Sequence, residues 1–380
     1  MGMSQNNMIY LDYSANTPAD DTVLKRFVET ERNFIGNPNS HHSAGEAARC
    51  EMERITTSIA TRLGIDSTEI IYTSGASESN NLAIKGIARA SRHNGKHIIS
   101  TALEHTSVSG CLTALQEQGY EIELVDINRD GTVSLEHLAE LIRKNTILVS
   151  VCAVDSELGT VQPIQQIAEL VKKYPQCHLH VDATQAVGKT DFIFDGIDTL
   201  SFSPHKFYGL NGCGILLKRK DLIIEPLIHG GASTTIYRSG TPALALAAAT
   251  ETALELTLSN QTERTSLVQK SNMFLRNALA AYPNVKINST EKAVPHILNL
   301  SVKGTRGSEF QKALSKHGVC VSVKSACSVE NTPSRAVFAV SRDRKNALAS
   351  WRISLSHLTT QEELSEFLKI FDICYKELCL

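Results

Sequence analysis

From about residue 68 onward the chain alternates short apolar runs with amphipathic stretches, and this alternation restricts the fold more than any other feature. Glu69–Thr73, His97–Thr101, Glu121–Ile127, Ile147–Val154, His178–Ala183, Thr199–Ser203 and Gly214–Lys218 read as strands. Glu78–His93, Ser107–Gln118 and Ile164–Lys173 carry helical spacing between them. Apolar runs too short for helices, separated by helical stretches, predict βα units and a mostly parallel sheet, hence the α/β class. Ligands bind such sheets in the loops after the strands. Beyond Thr241-Pro242 the pattern changes. An alanine-rich helix over Ala243–Leu258 and a second helical stretch precede short strands at Val285–Asn288, His296–Val302 and Val319–Val323. Ser308–His317 reads as a helix, and Thr360–Cys379 as another opened by a Thr-Thr-Gln-Glu cap. A chain of 380 residues exceeds one core, so two domains are expected. The large one covers 15–255; 1–14 and 256–380 form a smaller α+β domain.

Several function classes are disfavoured. A net charge of −2 with no basic cluster argues against nucleic-acid binding. No apolar stretch is long enough for a bilayer, and the N-terminus lacks a signal-peptide pattern, so no membrane association is expected. Nine irregularly spaced cysteines without a CxxC pair read as free thiols in a reducing, cytoplasmic setting, with no metal site expected. No GxGxxG or GxxxxGK[ST] occurs, which counts against dinucleotide and Walker-type nucleotide chemistry.

The chemistry concentrates after strands. Lys206 follows one in Ser203-Pro204-His205-Lys206, and Asp182 ends another, twenty-four positions earlier. A Schiff-base lysine for pyridoxal 5'-phosphate needs an amine for the aldehyde, a carboxylate for the pyridine nitrogen and hydroxyls for the phosphate. Thr73-Ser74-Gly75-Ala76-Ser77 opens a helix, where free N–H groups favour a phosphate; the bland alternative is an unliganded cap. His105 could stack on an aromatic cofactor or be a solvated residue at a helix start. Gly230–Pro242 could approach a phosphate or be an ordinary surface loop. Cys327 leaves a strand into a polar loop, unlike Cys152 and Cys177, which read as buried hydrophobes, and Cys320, which reads as structural.

Taken in order, Tyr10–Pro18, Gly36–Ser40, Thr73–Asn81, Glu104-His105, Glu157–Thr160, His180–Gln185, Ser203–Lys206, Arg238–Thr241 and Ser325-Ala326-Cys327 resemble the cysteine desulfurases, over roughly residues 9 to 375. These are class V aminotransferase-type enzymes of pyridoxal-phosphate fold-type I. The long cysteine-bearing loop resembles the nitrogen-fixation and iron–sulfur-cluster subgroup. The resemblance implies a large domain with a mostly parallel seven-stranded sheet flanked by helices, and a smaller α+β C-terminal domain carrying the loop. It implies Lys206 as the Schiff-base lysine, Asp182 at the pyridine nitrogen, His105 stacked on the ring and Gln185 at the phenolic oxygen. Gly75, Ala76, Ser77, Ser203 and His205 would hold the phosphate, with Thr241 reaching across a homodimer. Arg352, helped by Asn37, would bind the carboxylate of L-cysteine, and Cys327 would take its sulfur for delivery to an acceptor protein such as an iron–sulfur scaffold.

The chain departs from the family at several points. Asp155-Ser156 stands where two asparagines are usual; Asp155 is expected at the cofactor's phenolic oxygen, raising its pKa. Ala232–Tyr237, Gly209–Gly212 and Ser356-His357 also differ from the usual pattern. Related readings are a selenocysteine lyase or an aminotransferase on the same fold, and a non-catalytic adaptor.

Overall fold

The computed structural model describes residues 8–191, 194–324 and 332–379. Its strands are β1 (Ile9–Tyr10), β2 (Ile70–Thr73), β3 (His97–Ser100), β4 (Glu121–Leu124), β5 (Thr146–Cys152), β6 (His178–Asp182), β7 (Thr199–Phe202), β8 (Gly214–Lys218), β9 (Val285–Ile287), β10 (Ile297–Val302), β11 (Val319–Cys320) and β12 (Ser350–Ser354). Seven of them form one sheet in the order β2-β8-β7-β6-β5-β3-β4. Strand β8 runs opposite to the other six.

A sheet covered on both faces needs strands apolar on both faces. Strand β5 meets this requirement, since every residue of Thr-Ile-Leu-Val-Ser-Val-Cys is buried. Leu148 joins a core with Ile84 and Leu112 from the helices Ala76–Ala90 and Thr106–Gln116. Val149 and Val151 join the opposite core, with Ile55 and Leu254 from the helices Ser43–Leu63 and Leu244–Ser259. Strands β2, β3, β5, β6 and β7 all point one way, so the loops after them share one edge. Antiparallel β8 begins at that edge, and its first residue presses on the loop after β2. A Cβ on Gly214 would sit 2.4 Å from the carbonyl carbon of Gly75, so a side chain there would displace that loop.

A second sheet, β12-β10-β9, is antiparallel. Beneath it Trp351 stacks on Phe310 with centroids 5.3 Å apart, beside Phe371 from the terminal helix Gln361–Cys379. That helix opens on the expected cap: Thr360 N–H donates to Glu363 at 2.8 Å, and Glu363 N–H donates to the Thr360 hydroxyl at 3.1 Å. The N-terminal segment belongs to this unit, because β1 pairs with β11 and Ile9 and Leu11 fill its core. The strand expected over Val319–Val323 stops at Cys320, and Ser322 instead bridges to Arg352.

Candidate active site

A cavity of about 430 Å³ opens at the shared edge of the large sheet. Five strands contribute through the loops that follow them: Ser74–Ser77 after β2, His105 after β3, Ser156 after β5, Asp182, Thr184 and Gln185 from β6, and His205 and Lys206 after β7. Arg352 enters from β12, and Ser14 and Ala15 from the N-terminal segment.

Asp182 is 5% exposed and fully engaged. One carboxylate oxygen accepts from Thr184 N–H at 2.9 Å, the other from Asn80 Nδ2 at 2.8 Å. Burial pushes His180 down to about 4, so its ring is neutral at physiological pH. Its Nε2 lies 3.0 Å from the Asn80 carbonyl oxygen, which can only accept. The proton therefore sits on Nε2, and Nδ1 accepts from the Thr199 hydroxyl at 2.9 Å. A chain Thr199–His180–Asn80–Asp182 thus fixes the carboxylate from behind.

Lys206 lies in a short turn, Pro204–Lys206, directly after β7. Its ammonium donates to the carbonyls of Ser14 at 2.8 Å and Ala15 at 2.7 Å. Gln185 Nε2 also donates to Ser14, at 2.8 Å, and its amide oxygen takes Lys189 Nζ. Burial, with the charges of Lys206 and Arg352, brings Lys189 down to about 7. Burial and the same lysines hold His205 near 4. His105 caps the helix Thr106–Gln116: its Nδ1 accepts from Ser107 N–H at 3.1 Å, which places the proton of the neutral ring on Nε2. Burial and Lys206 lower its pKa against the pull of Asp182. Beside it, Glu104 accepts from the Thr101 hydroxyl at 2.8 Å and Cys152 N–H at 2.9 Å, and burial pushes its carboxyl up to about 8.

Arg352 is 2% exposed. Its guanidinium donates to Asp12 at 2.8 Å and to the Ser156 carbonyl at 2.7 Å, leaving N–H groups for a further acceptor.

Lys206, His105, Asp182, Gln185, His205, Gly75, Ala76, Ser77 and Arg352 therefore meet at one cavity. Four expected residues do not. Asp155 is fully buried and does not line the cavity, one of its carboxylate oxygens taking the N–H of Leu158, while Val154 and Ser156 line it. The alternation of side chains leaving β5 brings Cys152, Val154 and Ser156 to the cavity. Ser203 is buried behind the wall, donating to the Cys213 carbonyl at 2.8 Å and sharing a hydrogen bond with His205. Asn37 is exposed and caps Asn39 N–H at 2.9 Å. Thr241 is exposed in the loop before the Leu244–Ser259 helix. Cys327 lies outside the described residues. Cys152 is buried as expected, yet it also lines the cavity, its thiol pushed far up by burial. Asn80, Glu104, Ser14 and Ala15 were not singled out one by one, although each falls inside a quoted motif.

The chain matches the class-V aminotransferase family model over residues 9–367. The chain belongs to that family. Among its relatives, a NifS/IcsS protein homolog of Lactobacillus delbrueckii subsp. bulgaricus is 36% identical over 97% of each chain. Cysteine desulfurase IscS of Dictyoglomus turgidum is 36% identical over 96% of this chain and 93% of its own. A solved NifS-like protein superposes with a TM-score of 0.90 at 34% identity, over 96% of this chain and 99% of the other. SspA, solved in complex with cysteine, gives 0.81 at 31%, over 92% and 99%.

Class-V members use pyridoxal phosphate, and the donor set fits it. The Ala76–Ala90 helix starts at the cavity with no side-chain cap, leaving N–H groups for a phosphate. The Thr184 hydroxyl, in a residue lining the cavity, is buried without a partner. Asp182 and Lys206 supply the carboxylate and the amine. Among the described residues no group of His, Cys, Asp and Glu is placed to hold a metal ion. No helix there is long and apolar enough to cross a membrane.

Proposed function

We propose that the chain is a pyridoxal-phosphate-dependent cysteine desulfurase that converts L-cysteine to L-alanine and takes the sulfur onto Cys327 as a persulfide. The supporting observation is Arg352 entering the same cavity as Lys206 and Asp182, which pairs a carboxylate-binding group with Schiff-base chemistry. The relatives' names point the same way.

His105 and Asp182 would hold the cofactor, which when bound would supply an electron sink for the substrate's Cα electrons. The protein does the rest. Arg352 orients the amino acid through its carboxylate. The Lys206 amine would hold the cofactor's aldehyde and, with substrate present, would move the Cα proton. Asp182, fixed by Asn80 and Thr184, would hold the pyridine nitrogen and keep negative charge beside it. His105 offers its Nε2–H to the substrate side. The Cys327 thiolate attacks the substrate sulfur: an S–S bond forms, the Cβ–S bond breaks, and its electron pair stays on carbon to be protonated. L-cysteine and one thiol thus give L-alanine and one persulfide, with no external oxidant.

The roles of Gly75, Ala76, Ser77 and His205 at the phosphate belong to the same proposal, as does Thr241 acting from the second subunit of a homodimer. A protein acceptor, such as an iron–sulfur scaffold, would discharge the persulfide, and the free thiols of the described cysteines suit the cytoplasm.

The test is alanine and sulfide release from L-cysteine under reductant, with mass detection of one added sulfur on Cys327. Cys327→Ala should lose both while the cofactor's absorbance still responds to L-cysteine. Undiminished sulfide release by Cys327→Ala would point to a lyase that needs no persulfide.

A further inference from the structure

Described residues on both sides of the Cys327-bearing segment are tied to the surroundings of Arg352, through Asp12 on one side and through Glu157, next to Ser156, on the other. On the N-terminal side, Ser322 and Arg352 exchange backbone hydrogen bonds at 3.2 and 2.6 Å. The Ser322 hydroxyl donates at 2.8 Å to Asp12, whose other oxygen takes the Arg352 guanidinium. Across the base, Lys324 Nζ donates to the carbonyl of Thr332 at 2.9 Å and to its hydroxyl at 2.8 Å. On the C-terminal side, the Ser334 hydroxyl donates to Glu157 at 2.6 Å and accepts from Val337 N–H at 3.0 Å, capping the helix Arg335–Ser341.

Glu157 sits next to Ser156, whose carbonyl holds Arg352. Both belong to one tight turn. Gly159 N–H returns to the Asp155 carbonyl at 3.0 Å, and Asp155 N–H donates to the Thr160 carbonyl at 3.0 Å. The Asp155 carboxylate takes Leu158 N–H inside it. Gly159 closes the turn at φ +76°, where a Cβ would also meet Ile297 at 3.0 Å. The buried acid therefore holds the turn in shape. The half-buried Glu157 is not used for that purpose; its carboxylate reaches outward to Ser334 and faces the charges of Arg352, Lys324 and Arg335.

We propose that Glu157 is a positioning residue for sulfur transfer: through Ser334 it fixes the C-terminal end of the Cys327-bearing segment relative to Arg352, and so relative to the substrate whose carboxylate Arg352 holds. The inference rests on the desulfurase reading. It separates two events that a merely structural contact would not, because substrate binding depends on Arg352 while thiolate attack depends on where the segment is anchored.

The experiment compares holoenzyme with Ser334→Ala, Ser334→Thr, Glu157→Ala and Glu157→Gln. Two signals are followed: the absorbance change on adding L-cysteine, and the single-turnover rate of persulfide formation on Cys327. Ser334→Ala and Glu157→Ala should keep the amplitude and the half-saturating cysteine concentration of the absorbance change. Their persulfide formation should slow by about tenfold to a hundredfold, the loss of one charge-assisted hydrogen bond. Ser334→Thr, which keeps the hydroxyl, should restore the rate. Glu157→Gln, isosteric and still an acceptor, should fall between and guards against misfolding of the alanine variant. An unchanged persulfide rate in Ser334→Ala, or a loss matched by an equal loss of the absorbance change, overturns the proposal. Wild-type enzyme that forms no persulfide overturns the desulfurase reading itself.

Discussion

Asn80 donates to the Asp182 carboxylate at 2.8 Å across 102 residues of sequence. The same side chain takes the N–H of the neutral His180 ring on its oxygen, so its orientation is set from behind. Asn80→Ala would leave a buried carboxylate short of one donor and a buried imidazole N–H without an acceptor. A hydrogen bond to a charged group contributes about 1.5–3 kcal/mol. Cofactor affinity should therefore fall by about tenfold to a hundredfold, read from titration of apoenzyme with pyridoxal phosphate at the cofactor's visible band.

Asp155 makes the opposite prediction from the one its sequence position suggests. Burial and neighbouring Glu157 push its carboxyl up to about 7, but one oxygen takes Leu158 N–H and the residue does not line the cavity. Asp155→Asn should leave the pH titration of cofactor absorbance where it is in wild type. Ser156→Ala, at the cavity wall, should be the change that moves it. A titration shifted by Asp155→Asn and untouched by Ser156→Ala would restore Asp155 to the cofactor.

The βα alternation was legible because buried parallel strands such as β5 are apolar on both faces, and Lys206, Asp182 and His105 converge because parallel strands bring their carboxyl ends to one edge. The preceding helices, Asp21–Asn33 and Ser43–Leu63, were not read, although Ala48, Met52, Ile55 and Ile59 form a helical stripe. Ser156 lines the cavity and Asp155 does not, because one step along an extended chain reverses the side chain. Asn80 escaped notice because its partners, His180 and Asp182, meet it only through the sheet and the helix packed on it.

Glu104 supplies a pH signature in stability. Its folded-state pKa of about 8 lies above the ordinary 4.5, so the native state holds a proton that the unfolded chain releases earlier. The stabilising effect of that proton is complete below about 4.5 and is lost as pH rises to about 8, a swing of at most a few kcal/mol, on the order of 4. Glu104→Gln keeps the neutral acid's shape and its acceptor for Cys152 N–H. Denaturant midpoints of wild type and Glu104→Gln should coincide near pH 5 and separate by pH 9, with the variant more stable. Parallel curves across that range would mean Glu104 is ionised in the fold.

Arg352 carries the substrate assignment, and its surroundings complicate the obvious test. Removing it leaves Asp12 without its cation, and breaking a buried ion pair costs about 3–5 kcal/mol. A dead Arg352→Ala enzyme would therefore not separate misfolding from lost binding. Arg352→Ala combined with Asp12→Asn removes the stranded charge and should recover much of the melting temperature. In that background L-cysteine should bind about tenfold to a hundredfold more weakly. Cysteamine, which has the amine and thiol but no carboxylate, should bind as it does to wild type, both measured by the cofactor's absorbance change. Equal weakening of the two ligands would remove the carboxylate from Arg352 and with it the main support for an amino-acid substrate.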